Sequence, residues 1–227
     1  FQLSAIRNLV IPKQNKQAVI DAGLIQIIVP MLNIYQPPVI FKLLGTLRML
    51  IDGQDELSMQ LLNDVNLIER LVDWAQKTPD MVGVNSEASR LLAWLVKNAY
   101  RLRDNSTPSN DSLQKLISVP GAIDVLVKML AATHVVMQNE AIIALTIITT
   151  SQNTEHLIKI LIEANLADSI VEFIQRVAET ERITNEIIDN LRTLITVLKK
   201  SEQMEKYLNE KNVDELTIPR VKELATL

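Results

Sequence analysis

The side chains that could carry out bond chemistry in this chain are few. Its 227 residues include two histidines, His134 and His156, and no cysteine. Disulfides, thiolate nucleophiles and cysteine metal sites are therefore excluded. His134 falls in a turn before an apolar segment, where an imidazole is solvated or satisfies a loop instead of serving as a general base. No nucleophile-elbow pattern occurs. Neither G-x-x-x-x-G-K-[ST] nor G-x-G-x-x-G is present, so nothing points to nucleotide binding by the chain itself. The paired carboxylates Asp55-Glu56 and Glu179/Glu181 read as solvated helix ends or turns. The expectation is a non-enzyme with no cofactor and no metal, whose chemistry is that of surface contact.

One set of polar and aromatic side chains does recur at fixed offsets. Lys42, Gly45 and Met49 line up with Glu87, Arg90 and Trp94, then with Glu140, Ile143 and Ile147, then with Glu186, Asp189 and Thr193. Asn8 holds the same row in the opening segment, and Arg7 and Arg48 lie beside it at equivalent positions. Glu87, Glu140, Glu186 and Asp189 form an acidic set on this row. They are either ordinary solvated surface or a docking strip for basic side chains, which would supply steering and specificity. Trp94 and Met49 are anchor candidates if exposed, since Trp and Met are enriched at interfaces. Trp74 reads as core.

The row must be positioned by helices. The segments 3–11, 39–51, 84–96, 137–149 and 183–195 superimpose without gaps. Leu43, Leu44, Leu47, Leu50 and Ile51 match Ala141, Ile142, Leu145, Ile148 and Thr149, and then Ile187, Ile188, Leu191, Leu194 and Ile195. Offsets of 0, 1, 4, 7 and 8 draw one apolar stripe on a helix. The polar row lies on the opposite face. Before each such helix comes a junction with Gly or Asn and then another apolar run: 21–32, 64–75, 119–130 and 163–174, with a fainter copy at 210–218. Anchored on Gly23, Asn66, Gly121, Asn165 and Asn212, the spacings are 43, 55, 44 and 47 residues.

A helical period in this range is that of armadillo and HEAT repeats. The expected fold is an all-α, armadillo-type right-handed helical solenoid, an α-α superhelix, whose equivalent faces make one concave groove. The expected organisation is a single armadillo-repeat domain over 1–227. Residues 1–20 end a truncated repeat, 21–63, 64–118, 119–162 and 163–209 are repeats, and 210–227 is a C-terminal cap. Residues 1–11 resemble a last helix without its predecessors, which suggests a fragment of a longer solenoid. The long interval contains the polar stretch 100–112, expected to be a surface insertion. Gln36-Pro37-Pro38 and Lys77-Thr78-Pro79-Asp80 mark turns between helices.

Composition agrees. The chain is 48% hydrophobic but only 4% aromatic, with five glycines, enough aliphatic surface for a packed helical core. The net charge of −4, without any Lys/Arg block, argues against nucleic acid as partner. No run of 18 apolar residues spans a membrane, so no direct membrane insertion is expected. No signal-peptide pattern opens the chain. The sequons at Asn105 and Asn110 then read as chance. The absence of cysteine fits a reducing, cytoplasmic setting.

LSAIRNLVIP (3–12), FKLLGTLRMLID (41–52), LIERLVDW (67–74) and VVMQNEAIIAL (135–145) closely resemble the C-terminal armadillo repeats of the small-GTPase GDP dissociation stimulators, the SmgGDS family. The similarity runs over most of residues 1–150 in order and spacing; beyond that only the repeat pattern persists. The resemblance implies an exchange factor and chaperone for small GTPases of the Ras/Rho superfamily, Rho- or Rap-like, with basic prenylated tails. It acts by binding and distorting the switch region. The prenyl group is implied to bind in missing N-terminal repeats. With the groove alignment, the expected partner-binding residues are Asn8, Lys42, Arg48, Met49, Glu87, Arg90, Trp94, Asn139 and Glu140. The alternative is a generic armadillo scaffold for extended peptides or partner proteins. An asparagine row interrupted by Met49, Trp94 and Ile147 argues against it.

Overall fold

The computed structural model describes residues 2–77, 81–101, 108–180 and 184–213. Among these the regular structure is entirely helical. The chain divides into two compact units, 1–122 and 123–227. The first holds α1 (Gln2–Leu9), α2 (Lys13–Asp21), α3 (Leu24–Met31) and α4 (Pro37–Ile51). After these come α5 (Asp55–Leu62), α6 (Val65–Gln76), α7 (Val82–Tyr100) and α8 (Pro108–Ser118). Helix α9 (Ala122–Met129) opens the second unit, followed by α10 (Val135–Ser151) and α11 (Glu155–Glu163). Helices α12 (Leu166–Thr180), α13 (Asn185–Leu198) and α14 (Glu202–Glu210) complete it.

The helices come in threes, the second of 8 to 15 residues and the third a long one of 14 to 19, as in α2–α3–α4 and α5–α6–α7. The long helix of each set carries the apolar stripe read from the sequence, and all fifteen of its matched residues in α4, α10 and α13 are buried. Each fully buried Leu or Ile contributes about 1.5–3 kcal/mol of transfer free energy, so the stripes dominate the core. The polar member, Thr149, satisfies its hydroxyl by donating to the Leu145 carbonyl at 2.8 Å. In the first unit α4 packs against α1, α3 and α7, and α7 also against α5 and α6. In the second, α10 packs against α13.

The recurrent junction is a change of direction between the first and second helices of a set. Gly23, Gly121, Asn165 and Asn212 have φ of 82°, 83°, 58° and 58°. This is the left-handed region, where Gly has no Cβ to clash and Asn is the side chain that tolerates it best. Asn66 departs from the others. It keeps the side-chain register, since Leu67, Ile68 and Leu71 are buried, but it lies inside α6. The helix starts earlier there because the Asp64 carboxylate accepts from the Leu67 amide at 3.2 Å, a side-chain N-cap that needs no left-handed residue.

One sequence expectation changes. The stretch 100–112 is not wholly an irregular insertion: α7 runs to Tyr100 and α8 begins at Pro108. Proline suits that first helical position because its fixed φ fits and its missing N–H would have no intrahelical partner. Residues 102–107 lie outside the described residues, as do Thr78-Pro79-Asp80 and most of the expected C-terminal cap, from residue 214 on. The short helices α2, α5, α8, α11 and α14 were also not separated in the sequence reading.

Two buried polar side chains close the end of α4. Lys16, only 2% exposed, donates to the Asp52 carbonyl at 2.7 Å and lies 3.5 Å from its carboxylate. Asn98, 1% exposed, donates to the Ile51 carbonyl at 2.9 Å. Both satisfy carbonyls that have no partner within the helix, and the ammonium also complements the negative helix end.

Candidate functional site

In the first unit the polar row forms where α1, α4 and α7 meet. Gly45 of α4 marks the centre. The position of a Cβ there would be 3.6 Å from the Arg7 guanidinium of α1 and 3.7 Å from the Glu87 carboxylate of α7. Arg48, one turn on, forks onto that carboxylate: Nε donates to Oε2 at 2.9 Å and Nη2 to Oε1 at 3.1 Å. Both partners are buried, Arg48 at 4% and Glu87 at 8% exposed. A two-pronged arginine–carboxylate pair fixes orientation as well as charge. Arg90, one turn from Glu87, approaches the same carboxylate at 3.9 Å.

Trp94 extends the cluster along α7. The Arg48 guanidinium lies 5.5 Å from its ring centroid and the Lys97 ammonium 5.6 Å, within reach of cation–π attraction. The indole is half-buried, as are Lys42 and Met49 on α4, and Asn8 on α1 is exposed. Helices α1, α4 and α7 together contain five basic side chains, Arg7, Lys42, Arg48, Arg90 and Lys97, and a single carboxylate, Glu87.

This corrects the sequence expectation at two residues and in the sign of the face. Glu87 is not an exposed docking carboxylate; it is buried and engaged by Arg48. Arg48, expected among the partner-binding residues, is likewise turned inward onto Glu87. The polar face of this unit is cationic instead of acidic, because the one acid is neutralised internally. The physical reason is the identity of the facing position: Arg48 on α4 lies opposite Glu87 on α7, a cross-repeat pairing that a single-helix projection does not display. Lys97 was missed, although its i,i+3 spacing from Trp94 put the two on one face.

The second unit differs. Asn139 and Glu140 are half-buried on α10, and Glu186 and Asp189 are exposed on α13. The Asn139 side-chain carbonyl accepts from the Asn190 amide at 2.9 Å, so Asn139 also serves to join the two helices. Asp189 lies 3.4 Å from Arg192. Helices α10 and α13 contain three acids and one base. Thus Arg48 contacts both Glu87 and Trp94, and Glu87 also Arg90; Lys42 and Met49 are on α4 and Asn8 on α1. Asn139 and Glu140 belong to the other unit.

Trp74 is core, as expected. It is 5% exposed, its indole N–H donates to the Leu32 carbonyl at 3.0 Å, and it stacks on Tyr35 at 5.5 Å. His134 precedes α10 and His156 is in its neighbour α11, both exposed. Among the described residues no three His, Asp or Glu side chains are grouped so as to hold a metal ion. No helix among them is long and apolar enough to cross a membrane.

No family model matches the chain. It is 43% identical to the GTPase-GDP dissociation stimulator vimar of Drosophila melanogaster, over 99% of its own length and 40% of that protein's. It is 39% and 38% identical to the Rap1 GTPase-GDP dissociation stimulators 1-B and 1-A of Xenopus laevis, over 90% and 85% of its length and 31% and 29% of theirs. The chain thus spans well under half of these relatives. The likeness to vimar also carries past residue 150, where the sequence reading had found only the repeat pattern. Among solved structures it resembles a designed armadillo repeat protein in complex with the peptide (KR)4, at TM-score 0.53 and 21% identity, covering 98% of this chain and 91% of that one. A second designed armadillo repeat protein matches at TM-score 0.51 and 19% identity, with the same coverage. At such identities the structural likeness speaks for the fold alone, and it is that of an all-α armadillo-type solenoid. Over its own length, the chain is similar to part of the GTPase-GDP dissociation stimulators.

Proposed function

We propose that this chain is a protein-binding armadillo module through which a GDP dissociation stimulator grips small GTPases of the Ras/Rho superfamily. The single observation that carries the reading is the 43% identity with vimar across 99% of the chain. The partner is Rho- or Rap-like with a basic prenylated tail, and the cytoplasm is where the two meet. The prenyl group is assigned to repeats outside this chain, and no residue here is given that role. Asn8, Lys42, Met49, Arg90 and Trp94 are the proposed contacts of the first unit. Asn139 and Glu140 are those of the second, where Glu186 and Asp189 add acids suited to a basic tail. Arg48 and Glu87 hold that first face in shape from beneath.

The mechanism needs no catalytic side chain. A partner that binds the nucleotide-free or switch-distorted GTPase more tightly than the GDP-bound form must weaken GDP affinity by the same factor. A typical coupling of about 1–3 kcal/mol corresponds to roughly 5–150-fold. The test is twofold: release of a fluorescent GDP from a panel of Ras- and Rho-type GTPases on adding the protein, and its affinity for nucleotide-free against GDP-loaded GTPase. Faster release, with tighter binding to the empty form, is expected. Equal affinity for both forms throughout the panel would remove the linkage and with it the reading. Tight binding to extended peptides without nucleotide release would favour a general armadillo scaffold.

A further inference from the structure

We infer that the face formed by α1, α4 and α7 docks an acidic, carboxylate-bearing segment of the partner protein, and not a basic one. This rests on the reading that the partner is a protein gripped by the module, and it adds the chemistry of the segment seated on the first unit.

The argument is one of charge. The chain as a whole carries −4, yet these three helices hold five of its bases and one acid. That acid, Glu87, is consumed by the fork from Arg48. Of the acids on neighbouring elements, Asp52 has Lys16 at 3.5 Å, Asp55 has Arg101 at 3.9 Å and Asp73 has Lys77 at 2.7 Å, while Glu56 and Glu69 are exposed to solvent. The surplus of positive charge therefore stays on the face. Maintaining it costs self-repulsion, which an anionic partner relieves on binding.

Spacing selects the form of the anion. Arg90 and Lys97 are seven residues apart on α7, two turns, or about 10 Å along the axis. Lys42 and Arg7 come from two further helices. A single phosphate prefers donors that converge on one point, whereas cations spread over such a distance fit carboxylates spaced along a peptide. Trp94, half-buried, lies between Arg90 and Lys97 along α7, and Met49 is half-buried on α4, so the segment also presents an apolar side chain to the indole and thioether.

The test uses a fluorescein-labelled octapeptide alternating Glu and Leu, and its counterpart with Gln for Glu, titrated by anisotropy at low and high salt. The Glu peptide is expected to bind at least about tenfold more tightly at low salt, with the advantage shrinking as salt screens the charges. Lys42→Glu with Lys97→Glu should lose that advantage, and the milder Lys42→Gln with Lys97→Gln part of it. Lys159→Glu on α11, 72% exposed, should leave it unchanged. Equal binding of the Gln peptide, or double reversal without effect on the Glu peptide, would overturn the inference. The GDP-release assay keeps the two readings apart. Wild-type release by the Lys42→Glu/Lys97→Glu protein would sink the docking inference alone, and peptide binding as expected without any GDP release would sink the GTPase reading alone.

Discussion

Removing the Glu87 carboxylate should destabilise the first unit far more than any exposed charge change, and removing its partner as well should restore most of the loss. Glu87→Gln is the sharpest perturbation because it keeps shape and one acceptor oxygen. Breaking one side of a buried ion pair typically costs about 3–5 kcal/mol, since a charge is left dehydrated without its counter-ion. Arg48 is only 4% exposed, so water cannot substitute freely. Two effects lower the figure. The Trp94 ring at 5.5 Å retains a cation–π contribution of about 0.5–2 kcal/mol, and the glutamine oxygen keeps one neutral hydrogen bond worth about 1 kcal/mol. The expected loss is therefore about 1–3 kcal/mol. Arg48→Met alone should cost about the same, leaving the carboxylate stranded. The double variant Arg48→Met/Glu87→Leu should come within about 1 kcal/mol of wild type, because well-packed apolar replacements of a buried pair are often neutral. Urea unfolding followed by tryptophan fluorescence suits the question, as Trp74 and Trp94 both belong to the first unit. A Glu87→Gln loss below about 0.5 kcal/mol, or a double variant as unstable as the two singles added together, would refute the reasoning.

The left-handed junctions offer a graded series. Gly53→Ala, at φ 74° with nothing within 4 Å of the new Cβ, should cost about 1–2 kcal/mol from backbone strain alone. Gly121→Ala should cost about 1 kcal/mol more on top of like strain, because its Cβ would meet Val72 at 3.1 Å and the Gln76 amide at 2.8 Å; equal losses in urea midpoints would argue against that close approach. Asn165→Gly should be neutral within about 0.5 kcal/mol while Asn165→Ala costs about 1 kcal/mol, read from thermal melts by circular dichroism. Asn98→Leu should lose about 1 kcal/mol, the net worth of one hydrogen bond, because the Ile51 carbonyl keeps the Gln54 amide at 2.9 Å; a stabilised variant would mean that the bond contributes little.

The fold was legible because its signal is repeated. Five copies of one apolar stripe and four returns of the junction residue average out local exceptions, and each stripe residue of α4, α10 and α13 is buried as its offset required. What escaped the sequence was short. Helices α2, α5 and α11 are eight or nine residues long, too short for the periodicity of one segment to stand out from its flanks. Asn66 kept its register and lost its conformation because a carboxylate two residues earlier supplied the cap. The site was less legible than the fold for a different reason. A helical projection assigns a residue to a face but does not say what stands across from it. Glu87 and Arg48 are 39 residues apart, on like helices of successive sets, and each taken alone reads as a surface charge.

That pairing changes how the interface has to be probed. Charge reversal at Glu87 together with Glu140 is the experiment the sequence alone recommends, on the premise that both are solvated acids. In the structure Glu87 neutralises a buried guanidinium, so its reversal would place two cations side by side in a desolvated space and disturb the packing of α4 on α7. Weakened binding by such a protein would follow from lost structure as readily as from a lost contact. The two roles separate along the row itself. Lys42 and Lys97 stand on the half-buried rim of the first unit, and Glu186 and Asp189 are exposed in the second, where their replacement leaves no buried charge unpaired. The inward pair Arg48–Glu87 sets the position of Trp94 and the sign of the surface around it. The rim residues are where a partner's charge can be read without unfolding the reader.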